Sequence, residues 1–306
     1  MLIRSSARLR LLLPLLLLAL TACGNSSDSS ERSLASGSSE GNRPSVILIS
    51  IDSLRADHCT PYGYQPAFAP NEQTTPFLNR LANEGVLFEN ASAAAPWTLP
   101  SHISLFTAKS PREHGVRLGA LMLAHDTENI AGRFQKAGYH SFGIYSAPFL
   151  HPAYGYGFGF DGYIAAEEYL REGANENAIM NPKLRQMMTV HGLADSTYDN
   201  APRVNEIALH YLDNREGEEQ PFFLFLHYWD VHYNYMPSKP MAKRFLPDHG
   251  PADVKLGENF TPAHGDEPPT QYTADQLLRV QALYDAEIRT VDDAIAEIYS
   301  KLEELG

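Results

Sequence analysis

VILISIDSLRADH, from Val46 to His58, decides the fold of this chain, together with APWTLPSHISLFT from Ala95 to Thr107. Val46 to Ile51 is apolar nearly throughout, as in a strand covered on both faces, and it delivers Asp52 to the strand end. In open α/β sheets ligands gather at the carboxyl ends of strands. A buried carboxylate there needs a charge partner, which a metal supplies; an Asx-turn fits the same spacing. Asp57 and His58 are expected to decorate the loop that follows. Thr98 stands just before Pro100, at the mouth of an expected helix, where free N–H groups and the helix dipole stabilise negative charge. Its hydroxyl needs a base or a metal to become a nucleophile, and the same residue also suits a plain helix cap. A carboxylate and a hydroxyl so placed point to ester hydrolysis at phosphorus or sulfur.

Strand and helix signals alternate outward from these stretches, which predicts an α/β sandwich. Thr75 and Pro76 suit the N-cap and first position of a helix carrying Phe77, Leu78, Leu81 and Ala82 on one face, with Gly85 ending it. Val86 to Phe88 reads as a short strand, Asp126 to Ala137 as a helix closed by Gly138, and Ser141 to Tyr145 as a strand. Tyr154 to Phe160 alternates aromatics with glycine and reads as a loop, while Ile164 to Asn200 has only weak periodicity. Val204, Ile207, Ala208 and Tyr211 mark another helix, and Phe222 to Leu226 a buried strand. Met236 to Pro269, rich in proline, is expected to be a surface excursion. Thr273 and Gln276 form a capping box for a long amphipathic helix reaching Gly306. An α/β domain rarely finishes on such a helix without a strand behind it, so the chain is expected to continue.

The first residues stand apart. Arg4, Arg8 and Arg10 precede the apolar run Leu11 to Leu20, and Leu20-Thr21-Ala22-Cys23 follows. A basic region, a short apolar run and small residues describe a secretory signal, too short to span a bilayer comfortably. The cysteine makes residues 1–22 resemble a bacterial lipoprotein signal, with lipid on Cys23; Gly24 after it implies the outer membrane, facing the periplasm. Residues 23–43 form a Ser-rich tether, and 44–306 the catalytic domain. Cys59 is then the one remaining cysteine, so no intrachain disulfide forms, and it reads as a small buried hydrophobe. Lys and Arg number 24 against 37 Asp and Glu, a formal net charge of −13. That balance gives no basic face for nucleic acid.

His227 and His232 flank the end of the Phe222 to Leu226 strand, in HYWDVHYNY. A histidine at a strand end can bind an anionic oxygen or donate a proton to a leaving group. Here the motifs become specific. W-T-L-P-S-H with S-L-F-T after it resembles the sulfatase signature, in which a Cys or Ser precedes x-P-S-R. I-D-S-L-R-A-D-H resembles that family's metal strand, FFLFLHYWDVHYNYMP its hydrophobic strand followed by H-x-P, and Y-D-A-E-I-R-T-V-D-D its penultimate helix. Four blocks in order, over the whole of 46–306, place the chain by resemblance in the sulfatase branch of the alkaline phosphatase superfamily. That resemblance implies a mixed sheet between helical layers. It makes Asp52 and Thr98 ligands of a divalent metal (Mn, Zn, Mg or Ca), Thr98 the nucleophile, and His232 a catalytic residue contacting the substrate's anionic group. His114, in E-H-G-V, matches a common family histidine.

The departures from the pattern redirect the chemistry. Sulfatases convert Cys or Ser to formylglycine, and oxidising Thr98 would give a ketone instead. His102 stands where the motif has arginine, and Ser53 where many members have a second metal-binding Asp. Ile144-Tyr145-Ser146-Ala147 replaces the usual G-K-W-H, leaving His102 and Tyr145 beside His232 as substrate-contact candidates. Threonine nucleophiles occur in superfamily members resembling phosphodiesterases and phosphoglycerol transferases. The expectation is therefore phosphoric-ester hydrolysis or transfer on a small anionic ester or an envelope glycan or lipid. The alternatives are a sulfuric ester hydrolase or a catalytically dead envelope-binding lipoprotein. No S-D-H-G-E-like metal motif occurs, and His264-Gly265-Asp266-Glu267 has the wrong order. The legible ligands make about half a coordination sphere. Either residues beyond Gly306 complete it, or the protein is inactive.

Overall fold

The computed structural model describes residues 43–118, 121–166, 200–215, 217–258 and 271–306. Four strands, β1 (Val46–Ile51), β2 (His140–Tyr145), β3 (Gly162–Ala165) and β4 (Phe222–Tyr228), form one sheet in the order β1-β4-β2-β3. All four are parallel, where the family resemblance implied a mixed sheet. Parallel strands need both faces covered, and alternation along β4 assigns the faces. Leu224, Leu226 and Tyr228 pack with α5 (Ala201–Asp213) and α8 (Ala274–Leu305). Phe223 and Phe225 pack on the other face with Leu99, Ile103 and Phe106 of α2 (Thr98–Thr107) and Ala131 of α4 (Ile130–Lys136). The result is three layers, with the carboxyl ends of β1 and β4 side by side.

Several expectations are corrected. Val86 to Phe88 is not a strand: Val86 and Phe88 are 78% and 72% exposed, and the segment joins no ladder among the described residues. The helix expected from Asp126 starts at Ile130, because the Asn129 side chain caps it by accepting from the Gly132 amide at 2.9 Å. Residues 236–258 are no surface excursion. They hold α6 (Lys239–Phe245) and α7 (Pro251–Glu258), and Phe245 is fully buried in a small cluster with Ala282 and Ala286 of α8. Among the described residues no helix is long and apolar enough to cross a membrane. The signal, Cys23, most of the tether, residues 167–199 and the segment His264–Glu267 lie outside the described residues.

α8, closed at its start by the expected Thr273–Gln276 capping box, organises the sheet's flank through buried polar groups. Asp292 accepts from the amides of Phe77 and Leu78 at 2.8 and 2.9 Å, capping α1 (Pro76–Glu84) from outside. Thr75 occupies the N-cap position as expected, yet its hydroxyl accepts from the Thr60 amide instead. His58, expected on a loop surface, is buried, with Nδ1 2.8 Å from Asp285 Oδ1; Tyr64 donates to the other oxygen at 2.8 Å. Burial pushes the Asp292 carboxyl up to about 6 from its ordinary 3.8, against the two amide hydrogen bonds. An acid with a raised folded pKa stabilises the fold while protonated, so this contribution is full below about pH 4 and lost as pH rises through about 6. Urea unfolding of the wild type and Asp292→Asn at pH 4 and pH 7 should show it. The stability difference between them is expected to shift against the wild type by on the order of 2 kcal/mol as pH rises.

Candidate active site

β1 and β4 pair with Ser50 opposite His227 and Ile51 opposite Tyr228, and the Asp52 amide continues the ladder to the Tyr228 carbonyl at 2.9 Å. Asp52 therefore leaves the sheet level with the end of β4. The next residue, Ser53, has φ 56°, a left-handed conformation unfavourable for a residue with a Cβ. One phenol holds this turn. The Tyr284 hydroxyl of α8 donates to the Ser53 carbonyl at 2.7 Å and accepts from the Arg55 amide at 2.9 Å.

Thr98 is the first residue of α2, after Trp97 in extended conformation, and no side chain caps the helix. Its first-turn amides are thus left for an anionic oxygen. The Thr98 hydroxyl donates to Asp52 Oδ2 at 2.9 Å, and Ser53 Oγ donates to Oδ1 at 3.0 Å. His227 Nε2 lies 3.5 Å from the same Oδ2. Burial alone would raise the Asp52 pKa; the His227 and His102 imidazoles and the Thr98 hydroxyl outweigh it and hold the carboxyl well below the usual range. Asp52 is an anion at any neutral pH.

His102 extends the group. Its Nδ1 donates to the Thr98 carbonyl one turn back at 2.9 Å, which leaves Nε2 to accept from the Ser50 hydroxyl at 2.8 Å. Burial first, then the neighbouring His227, push its pKa down to about 4, so it is neutral. The rings of His102 and His227 meet edge to face at 5.1 Å. His114 has a structural place: the Val116 amide donates to its Nδ1 at 3.1 Å, so Nε2–H faces Ser104 Oγ at 3.1 Å. This pins the segment after α2 to the helix.

Asp52, Trp97, Thr98, Ser101, His102 and Lys109 are among the residues around a cleft of about 730 Å³. Two sequence-derived candidates do not line it. Tyr145 is fully buried in the core, stacked on Tyr163 at 4.7 Å. His232 stacks on Trp229 at 3.9 Å, with Nδ1 2.7 Å from the Tyr233 carbonyl. His227 joins Asp52 instead. Strand β4 runs two residues beyond its expected end at Leu226, and period-two alternation then puts His227 on the face of Phe223 and Phe225, toward α2. Extending the apolar run by that period would have found it.

Among the described residues no three or more His, Cys, Asp and Glu side chains are grouped for a metal ion. Asp52 and His227 are two of that class, and Thr98 adds a hydroxyl. His227 is fully buried, and among the described residues neither ring nitrogen has a partner at good hydrogen-bond distance, Nε2 standing 3.5 Å from Asp52 Oδ2. An anionic oxygen, a hydroxyl and an orphaned imidazole nitrogen fit part of a divalent cation's donor set.

Comparison with known proteins agrees with this architecture. The family model described as Sulfatase matches residues 44–306. An N-acetylglucosamine-6-O-sulfatase of Bacteroides thetaiotaomicron is 25% identical over 228 residues, covering 74% of this chain and 36% of that protein. The chain thus spans about a third of that relative's length. The crystal structure of a phosphonate monoester hydrolase of Agrobacterium radiobacter superposes with a TM-score of 0.61 at 19% identity, over 86% of this chain and 60% of that one. The C-terminal periplasmic domain of EcEptC from Escherichia coli, in complex with Zn, superposes with a TM-score of 0.52 at 16% identity, over 86% and 60%. The four strands, the helical layers and the matched span together make this chain a member of the sulfatase family, with an alkaline-phosphatase-like α/β fold.

Proposed function

We propose that this protein is a metal-dependent ester hydrolase that uses Thr98 as its nucleophile on a phosphoric ester, by hydrolysis or by transfer to an acceptor hydroxyl. The observation that carries this reading is the hydrogen bond from the Thr98 hydroxyl to an ionised Asp52 at the uncapped start of α2. Asp52 Oδ2 aligns the hydroxyl, and its depressed pKa makes it too weak a base to deprotonate threonine unaided. A divalent cation held by Asp52 and Thr98 supplies the missing Lewis acidity when bound. Thr98 Oγ1 would attack phosphorus in line as its proton passes to solvent, one ester oxygen would leave and take up a proton from water, and a phosphorylated Thr98 would form that, from a phosphodiester, keeps the second ester group. Water or an acceptor hydroxyl attacks phosphorus next and releases Thr98. The uncapped amides of α2 and the ammonium of Lys109 suit the transferred group's oxygens.

The related structures named above include a phosphonate ester hydrolase and a zinc-bound domain, which supports phosphorus chemistry and a metal. The relative that acts on a sulfated sugar supports sulfate instead. The side chain favours phosphorus for this chain, because threonine cannot become formylglycine. Assays of the protein from its complete gene with bis-p-nitrophenyl phosphate and p-nitrophenyl sulfate separate the two. Thr98→Ala is expected to lower phosphodiester turnover by on the order of 1,000-fold, with Thr98→Ser partly active. Aryl sulfate turnover that survives Thr98→Ala would contradict the threonine mechanism.

The location follows from the other end of the sequence. A lipid on Cys23 and the Ser-rich tether would hold the domain at the bacterial envelope, on the periplasmic face of the outer membrane, within reach of envelope glycans and lipids. Metabolic labelling with a radioactive fatty acid should mark the wild type and not Cys23→Ser. Labelling of both proteins would place the lipid elsewhere.

A further inference from the structure

We propose that His227 is a nitrogen donor to the divalent cation at Asp52 and Thr98, so that the site binds Zn²⁺ in preference to Ca²⁺ or Mg²⁺. The inference rests on the metal-dependent reading above and goes beyond it in naming a ligand and a class of metal. Four observations converge on it.

His227 is fully buried, yet among the described residues neither ring nitrogen has a partner at good hydrogen-bond distance, the nearest being Asp52 Oδ2 at 3.5 Å from Nε2. Buried polar groups are nearly always paired, and an exception calls for an unseen partner or a functional role. The ring is fixed in direction by its strand. The pairing of Ser50 with His227 sets its height at the end of β1, and its neighbours His102 and Trp229 lie at 5.1 and 6.4 Å between ring centres.

The separation from Asp52 is the second observation. At 3.5 Å, Nε2 and Oδ2 are too far apart for a good hydrogen bond, whose usual range ends at about 3.2 Å. Two donors each about 2.1 Å from one tetrahedral cation stand roughly 3.4 Å apart. The observed spacing is that of two ligands sharing an ion.

Third, Thr98 Oγ1 reaches the same Oδ2 at 2.9 Å, so two groups of ligand type gather about one carboxylate oxygen. Fourth, the nearby histidines are already engaged. His102 spends one nitrogen on the Thr98 carbonyl and the other on Ser50, and His114 is tied to Val116 and Ser104. His227 is the histidine of this group with a nitrogen to give. An imidazole in the donor set shifts preference toward zinc and away from the all-oxygen demands of calcium and magnesium.

Pulsed electron paramagnetic resonance on the Mn²⁺-loaded protein from its complete gene tests this without an activity assay. The wild type is expected to show nitrogen modulation from a directly bound imidazole. His227→Gln should lose it and bind Mn²⁺ at least about tenfold more weakly, while Zn²⁺ displaces the Mn²⁺ probe from the wild type and Ca²⁺ does so poorly. The wild-type spectrum stands even if His227→Gln fails to fold. Asp52→Asn is the second arm. Mn²⁺ binding that depends on Asp52 but shows no nitrogen modulation overturns the role of His227 and leaves the metal reading intact. A wild type that binds no Mn²⁺ or Zn²⁺ overturns both.

Discussion

The parallel pairing of β1 with β4 governs the arrangement of the cleft. Because Ser50 faces His227 and the ladder runs on to the Asp52 amide, a carboxylate and an imidazole arrive at one level from residues far apart in the chain. The sheet's period of two does the rest, placing Ser50 and His227 on the face that α2 covers. α2 then contributes Thr98 and His102 together, since residues four apart share a helix face. The pairing register, rather than any flexible loop, sets the distances among these side chains.

A second constraint comes from α8. Tyr284 clasps the Ser53 carbonyl and the Arg55 amide, and the neighbouring Asp285 holds His58 and Tyr64. The left-handed Ser53 is thereby held from the far end of the chain. The Y-D-A-E-I-R-T-V-D-D segment is consequently more than a packing helix. Tyr284 and Asp285 hold the turn that carries Asp52, and Asp292 caps α1.

Much of this was legible in the sequence. The apolar run from Val46, the Pro100 helix start and the Thr273 capping box are local signals, and local physics decides them. His58 and Asp292 were not legible, because a buried hydrogen-bonded pair or an external cap depends on contacts more than 200 residues away in the chain. Val86 to Phe88 failed for the same reason: β-branched and aromatic residues favour a strand only where another strand is present to pair. Met236 to Phe245 was misread because prolines, here at a helix start, were taken for loop. At the site, Asp52 and Thr98 were found by residue type and position. His227 was passed over for His232 because the family's H-x-P pattern matches the later histidine, whereas the period of two along β4 points to His227. The strand period thus decides which histidine reaches Asp52.

The account turns on whether the hydroxyl held by Asp52 is the atom that reacts. Rapid acid quench of the protein from its complete gene during turnover of a phosphodiester, followed by peptide mass mapping, asks this directly. One phosphoryl group, still esterified to the substrate's second alcohol, is expected on Thr98, in the peptide containing Trp97 and Pro100, and none in Thr98→Ala. Steady turnover with Thr98 unmodified at every quench time, and a phosphoryl group trapped on another residue, would contradict it.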